Sequence, residues 1–475
     1  MKRRLALSVL LLMAFAATAR AGALPEAFVD ALEQAGIPLA NVAVVIEPLD
    51  ATSPLVSHNA GVALNPASAM KLVTSFAALD RLGTGYAWTT RVWADGPLVD
   101  GVLDGNLVVQ GRGDPTLTLE RMWLLQRALR ARGVHHIRGK LVLDTRDFDV
   151  PPADPGAFDN APLAPYNAPP GALVANFNTI PLRIIPTAST VQIVPEVELP
   201  GVTFTSQVVA TDDAECNGAR RALVPVPETG ERTGLTVTGR YARSCGEQTW
   251  ALNLFPPETT FDLIFRGLWQ ESGGTLAGAT VAGAAPAGEP LLTFSSAPLP
   301  VALTQLNKFS NNLMTRNLFL TLGAAAYGAP ATLEKADRAI RETLDRRGIA
   351  TQQLVLENGA GLSRIERISA QALAQLLRAA HSSPWFPEFA ASMPIVATDG
   401  TLKRRFADSP AAGQAHLKTG RLRDVRALAG YVHTVDNRRV ILVLLINDAQ
   451  APLAEDAQQA LLEWVWAGDG EKPRP

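Results

Sequence analysis

The sequence predicts an α+β protein in which strand and helix elements from both ends of the chain form one unit around a large, mainly β insertion. Three observations lead there. Helical apolar spacing runs through Leu72, Phe76 and Leu79 and returns from Val301 onward. Between Trp88 and Ala297 the chain is rich in Gly, Pro, Val and Thr and alternates in short segments. Strand-like runs lie close to both ends, near residues 41–50 and after residue 415. The expected units are 22–87 with 298–470, and an insertion over 88–297 built as two subdomains. With 475 residues, 47% hydrophobic content and a net charge of -2, the chain can bury two or three cores and has no basic excess to suggest nucleic acid.

The first residues carry a Lys2-Arg3-Arg4 head, an apolar run from Leu5 to Ala17 and a small-x-small site at Ala19-Arg20-Ala21. This reads as a secretory signal peptide over 1–21, because the apolar run is shorter than the roughly 20 residues of a spanning helix. No later segment is apolar enough to span, so the mature chain is expected to have no transmembrane segment and to work outside the cytoplasm. The only two cysteines, Cys216 and Cys245, fit that compartment as a disulfide. Closing a 29-residue separation stabilises by about 3.6 kcal/mol in the chain-entropy account.

A short helix is expected near Pro25 to Ala35, then strands in NVAVVIEPLD and PLVSHNAGVALN, then a helix opening at Asn65-Pro66. Within the insertion, GNLVVQG, GKLVLDT, TVQIVPEV, LTVTGRYA and TWALNLF read as strands and TLERMWLLQRALRARG as one helix. Helices follow in VALTQLNKFSNNLMTRNLFLTLGAAAYG, TLEKADRAIRETLDRRG and SAQALAQLLRAAH, the last capped by Ser369. The segment from Ala415 to Asp448 reads as strand, loop and a hairpin turning at Asp436-Asn437. A final helix places Ala457, Leu461, Trp464 and Val465 on one stripe, the pattern of core packing.

Ser68 and Lys71 stand three residues apart, so on a helix they share a face, with the hydroxyl near the positive end of the dipole. Such a pair is common by chance, as is S-x-N, which also occurs at Ser57-His58-Asn59. The order S-x-x-K, then Ser310-Asn311-Asn312 at a turn between two helices, then Lys418-Thr419-Gly420 on a strand, is far less so. A serine hydroxyl is a poor nucleophile until a base takes its proton, and lysine serves only when its pKa falls from about 10.4 toward about 7 to 8. Burial and a second cation, here Lys418, push it that way.

In this acyl-transfer reading Ser68 attacks a carbonyl and Lys71 accepts its proton. Ser310 relays a proton to the leaving amine, assisted by Lys71 and Lys418, while Asn312 holds Lys71 and a substrate amide. The backbone N–H groups of Ser68 and Arg421 would form an oxyanion hole. Gly420 lets substrate lie along the strand edge, and Thr419 with Lys418 binds a terminal carboxylate. The chemistry calls for no cofactor and no metal, and the six histidines, including His416, lack ligand spacing. A Ser-His-Asp site has no G-x-S-x-G elbow to start from.

The three motifs resemble the penicillin-recognising serine enzymes. Ser68 and Ser310 are 242 residues apart and Ser310 and Lys418 are 108 apart. Class A β-lactamases and most small D,D-carboxypeptidases place the first two motifs much closer, so the long insertion resembles the penicillin-binding protein 4 (DacB) family of D-alanyl-D-alanine carboxypeptidases and endopeptidases. GNLVVQGRGDPTL, YNAPPGALVANFN, LENGAGLSR and ATDGTLKRRF are similar to that family's recurring segments. The resemblance implies a β-lactamase/transpeptidase-like domain, an antiparallel sheet between helices, interrupted by mostly β domains. It also implies a periplasmic enzyme acting on peptidoglycan stem peptides ending in D-Ala-D-Ala and acylated by β-lactam antibiotics. Two departures stand out. Asn358-Gly359-Ala360-Gly361 occupies the place of the family's Asp-Gly-Ser-Gly. The family's acidic residue for the diaminopimelyl group falls near Asp159, in a segment of different length. Two other readings remain: a β-lactamase-like hydrolase, which would need an E-x-x-x-N deacylating element that the sequence does not display, and a non-catalytic peptidoglycan-binding or scaffold protein, which has no use for a complete proton-transfer set.

Overall fold

A computed structural model describes residues 22–468 apart from 52, 213–215, 217 and 229–232. The expected signal peptide, 1–21, lies outside the described residues. One five-stranded sheet organises both ends of the chain. Its strands are β1 (Val42–Pro48), β2 (Val56–His58), β3 (Ala415–Leu422), β4 (Val425–His433) and β5 (Arg439–Asn447). They run in the order β2-β1-β5-β4-β3 with every neighbour antiparallel, so β1 from the start of the chain pairs with β5 near its end, Val44 opposite Leu444.

The helices of this unit are α1 (Glu26–Gln34), α2 (Lys71–Leu82), α3 (Leu299–Lys308), α4 (Asn312–Tyr327), α5 (Leu333–Arg346), α6 (Ala370–His381), α7 (Phe386–Ser392) and α8 (Glu455–Ala467). The apolar run Val440–Ile446 is continuous because β5 is covered on both faces, and side chains alternate across a strand. Leu442, Leu444 and Ile446 meet Phe28 and Leu32 of α1 and Leu461 and Val465 of α8. Ile441, Val443 and Leu445 face the other way, into a core with Leu72, Val73 and Phe76 of α2 and residues of α3 to α7. The central helix α2 is buried from Lys71 through Leu79.

Three details differ from the sequence-based expectations. Ser68 lies on a 3-10 turn, Ala67–Met70, and the α-helix begins only at Lys71. The turn starts with Ala67 at φ 46°, where the Asn65 side chain accepts the Ala67 N–H at 2.8 Å. The stretch after Gly420 is a tight hairpin rather than a loop, with Leu422 paired to Val425. A second insertion helix, Pro257–Glu271, was not expected, because its Thr, Phe and Ile content reads as strand. Its helical signal is the spacing of Phe261, Phe265 and Trp269, whose rings stack successively at 6.0 and 5.7 Å, together with prolines at its start.

The chain enters and leaves the insertion side by side. Thr89–Asp95 pairs antiparallel with Leu292–Ser295, and Trp88 and Ser296 exchange hydrogen bonds of 3.0 and 2.9 Å. These strands belong to a five-stranded sheet with Asn106–Gln110, Leu141–Asp144 and Thr280–Ala282. Two three-stranded sheets follow, and the expected disulfide joins Cys216 to Cys245 across a Cα separation of 5.2 Å. A single hydrophobic cluster spans the insertion, from Val92 and Leu107 through Leu125, Leu182 and Leu235 to Phe261 and Trp269. Among the described residues no helix is long and apolar enough to cross a membrane.

Candidate active site

Three elements converge at one place: the 3-10 turn ahead of α2, the turn ahead of α4, and edge strand β3. The Asn447 side chain ties the first to the sheet, accepting the Asn65 N–H at 2.8 Å and donating to the Asn65 carbonyl at 2.9 Å. At the second, Asn311 is the helix cap, its side chain accepting from the Met314 N–H at 3.0 Å. Ser310 is thereby left uncommitted to capping, in a left-handed conformation at φ 55°. Such conformations in non-glycine residues concentrate where function requires them.

The five motif residues come together as two amine centres. Lys71 donates to the Ser68 hydroxyl at 3.1 Å, to the Asn312 carboxamide oxygen at 2.6 Å and to the Ala360 carbonyl at 2.5 Å. Lys418 donates to the Ser310 hydroxyl at 3.0 Å and to the Thr419 carbonyl at 2.8 Å. Both amines are fully buried, whereas Ser68 and Ser310 are only half-buried, so the serines are the solvent-reaching members of the two pairs. Burial holds the Lys71 amine well below the ordinary lysine value, the Lys418 and Arg316 cations push it further down, and the Glu366 carboxylate opposes them. Burial brings Lys418 down to about 7.

Strand β3 is an edge strand. Its first half is covered by the segment 394–396, which exchanges backbone hydrogen bonds with Ala415 and Leu417, and the stretch from Lys418 onward lies beside the Ser68 turn. Gly420 faces Pro66 and Ala67 so closely that any side chain there would collide with the Pro66 carbonyl. Thr419 is half-buried, its hydroxyl 2.9 Å from that of Thr401, and Arg421 points an exposed side chain outward. Asp159 is exposed on an insertion loop, where it accepts from the Tyr166 hydroxyl and the Asn167 amide at 2.8 Å each. That loop reaches the motif residues through its backbone: the Asn312 amide donates to the Tyr166 carbonyl at 2.9 Å. His416 is held by the Ala390 carbonyl at 3.0 Å, and no cluster fit for a metal occurs among the described residues.

Sequence reasoning did not single out Thr401, Tyr166, the Ala360 carbonyl or Glu366. The signal for the first three was present, since they lie within ATDGTLKRRF, YNAPPGALVANFN and LENGAGLSR. Glu366 is fully buried, and its two oxygens accept the N–H groups of Glu357, Asn358, Gly359 and Gly361 at 2.8 to 3.0 Å.

A profile of the D-Ala-D-Ala carboxypeptidase 3 (S13) family matches residues 25–467. The chain belongs to that family. It is therefore a serine-type D-Ala-D-Ala carboxypeptidase. The D-alanyl-D-alanine carboxypeptidase of Actinomadura sp. (strain R39) is 30% identical over 435 residues, covering 88% of this chain and 80% of that protein. The DacB carboxypeptidase of Haemophilus influenzae is 26% identical over 416 residues, 86% of this chain and 85% of its own. The crystal structure of the Haemophilus influenzae penicillin-binding protein 4 superposes with a TM-score of 0.75 at 24% identity, covering 92% of this S13 chain and 99% of that one. A second crystal structure of that protein, in complex with a β-lactam, gives a TM-score of 0.72. The S13 fold is thus an α+β transpeptidase-like unit carrying an insertion.

Proposed function

We propose that this S13 chain removes the terminal D-Ala from peptidoglycan stem peptides through an acyl-enzyme on Ser68. The observation that carries the reading is the buried Lys71 amine, held by that burial well below the ordinary lysine value and 3.1 Å from the Ser68 hydroxyl. The Ser68 oxygen attacks the carbonyl of the penultimate D-Ala and its proton passes to neutral Lys71. The negative charge that develops on the carbonyl oxygen is taken by the N–H groups of Ser68 and Arg421. In the β3–β4 hairpin, Leu422 and Val425 close the turn, so alternation directs the Arg421 N–H away from β4 toward the open edge. Ser310, backed by Lys418, delivers the proton to the departing D-Ala amine, and water then hydrolyses the ester. Thr419 and Lys418 hold the terminal carboxylate, and Asp159 takes the ammonium of a diaminopimelyl side chain.

β-Lactams present a strained amide to the same serine and acylate it. Glu366 does not supply a route to rapid turnover of that adduct, because it is fully buried and both of its oxygens are engaged by backbone N–H groups. This places a penicillin-sensitive carboxypeptidase ahead of a β-lactamase. The same attack on a D-alanyl-diaminopimelyl cross-link would make the chain an endopeptidase as well. The leader-like 1–21 segment and the disulfide support a periplasmic location. The side-by-side strands at Thr89 and Ser295 support unit boundaries of 22–87 with 298–470 around an insertion over 88–297.

The test is the intact mass of the mature protein with and without a penicillin, repeated on Ser68→Ala. A stoichiometric adduct on the Ser68 peptide that disappears in the variant is expected. Well-folded wild-type protein without an adduct would overturn the reading and favour a binding role.

A further inference from the structure

We infer that Glu366 is a positioning residue for the base: its carboxylate fixes the loop that holds Lys71 against Ser68 and supplies the anion among the cations gathered there. The inference rests on the acyl-serine reading above. The loop of residues 357–361 touches both partners of the proton transfer. Its Ala360 carbonyl accepts from Lys71 at 2.5 Å, and Gly361, at φ 79°, lies so close to Ala67 and Ser68 that a side chain there would collide with the Ala67 carbonyl. Thr74 of α2 adds a bond to the Gly359 carbonyl at 2.8 Å. Carbonyls on one side of this loop therefore face α2, and its N–H groups on the other side converge on a single carboxylate. One Glu366 oxygen accepts from Glu357, Asn358 and Gly359, and the other from Gly361.

Burial pushes the Glu366 carboxyl up and the four backbone N–H groups oppose that rise; every bond the carboxylate makes is one it accepts, which is the pattern of an ionised group, since a protonated one would need an acceptor of its own. The charges around it are Lys71 on α2, Arg316 on α4 and Glu357 in the loop itself, and Lys418 on β3 faces Lys71 in turn. Burial first, and then the cations of Lys418 and Arg316, hold the Lys71 amine below its ordinary value, and Glu366 moderates that fall. The Ala360 carbonyl adds the directional part. It gives the Lys71 amine a third acceptor, fixing the amine so that its lone pair can meet the Ser68 proton once it is neutral.

The effect of removing the charge has a definite sign. Without the anion, Lys71 loses its proton more readily, so the acid limb of the acylation profile moves to lower pH. The experiment measures the second-order rate of Ser68 acylation by a fluorescent penicillin from pH 5 to pH 10, per titratable serine, for wild type, Glu366→Gln and Glu366→Asp. Glu366→Gln is expected to move the acid limb down by about one pH unit, the scale on which a nearby charge acts. Its plateau rate falls roughly tenfold to a hundredfold, because the amide end of Gln opposes a backbone N–H and releases the loop. Glu366→Asp keeps the charge but not the reach, so its limb stays at the wild-type position while its plateau rate falls. A purely structural role would reduce the amount of reactive protein and leave the rate per serine and the limb unchanged. An unshifted limb in Glu366→Gln overturns the inference. Should that variant not fold, a wild-type rate per serine in Glu366→Asp overturns it instead. Wild-type protein that takes no adduct at Ser68 would sink the underlying reading, an outcome distinct from either of these.

Discussion

Replacing Lys418 by Met should make the protein more stable at pH 7 and nearly inactive. Lys418 is fully buried, and its pKa falls from 10.5 to about 7 because of that burial. Holding a proton there at pH 7 costs about 4 kcal/mol relative to the unfolded chain, at about 1.4 kcal/mol per tenfold change in proton affinity. Met has nearly the same volume and no charge. The variant escapes that cost but loses the bonds to Ser310 and the Thr419 carbonyl, worth about 1 kcal/mol each. The net expectation is a gain of about 2 kcal/mol at pH 7. The sign with pH follows from the folded value lying below the unfolded one. The penalty is full below about pH 7, shrinks as pH rises, and vanishes above the unfolded value of 10.5. At pH 10 the wild type has shed most of it, and Lys418→Met should then be the less stable of the two by about 1 kcal/mol. Urea unfolding at both pH values measures the two differences, and acylation by penicillin at pH 7 should drop by about 100-fold or more. A variant that is less stable at pH 7, or a stability gap that is the same at pH 7 and pH 10, would refute the reasoning.

Asn317→Leu removes the bonds that the side chain makes to the Gly113 carbonyl at 3.1 Å and to the Gly171 carbonyl and N–H at 3.0 and 3.2 Å. It should cost about 2 to 4 kcal/mol in urea unfolding by leaving buried backbone groups unpaired, and should lower kcat by freeing the loop behind Asn312. Replacing Cys216 and Cys245 together by Ser should lower stability by up to about 3.6 kcal/mol while leaving the acylation rate unchanged, since the disulfide lies in the insertion. Thr401→Val breaks the 2.9 Å contact with the Thr419 hydroxyl and should raise KM for a D-Ala-D-Ala peptide by about fivefold with little change in kcat, measured by D-Ala release.

The residues most legible in the sequence are those whose side-chain chemistry is irreplaceable. A serine three residues before a lysine is common by chance, but the ordered set of S-x-x-K, S-x-N and K-T-G is not, and the fold brings its members together. The sheet was legible for a similar reason: Val440–Ile446 can be apolar without interruption only if both faces of β5 are covered. What escaped was chemistry that does not depend on residue type. Any residue at 360 could offer its carbonyl to Lys71, and any residue at 166 could offer one to Asn312. Glu366 looks like every surface glutamate until the fold turns four N–H groups toward it. The amide pair of Asn65 and Asn447 joins residues 382 apart in sequence, and nothing local in either marks the other. Helix Pro257–Glu271 was masked by β-branched and aromatic residues whose role is burial, a case of tertiary packing overriding local preference.

The insertion between α2 and α3 costs the catalytic fold little, because its ends leave and return as paired neighbours and so span the gap as a hairpin tip would. What makes it part of the site is α4. One face of that helix holds Asn312 toward Lys71, and successive positions along it grip the insertion: Asn312 at the Tyr166 carbonyl, Arg316 at the Ala168 carbonyl, Asn317 at Gly113 and Gly171. Trp88, at the entry to the insertion, bonds the Thr321 hydroxyl one turn further on, at 2.9 Å. A displacement of the 166–171 segment therefore acts on the carboxamide that accepts from Lys71, with no intervening flexible link. The Tyr166–Asp159 hydrogen bond and the Asn312 carboxamide that accepts from Lys71 are tied to the same loop backbone. Substitutions in this loop should accordingly change the rate per serine as well as substrate preference, and kcat and KM should move together there while moving apart at Thr401.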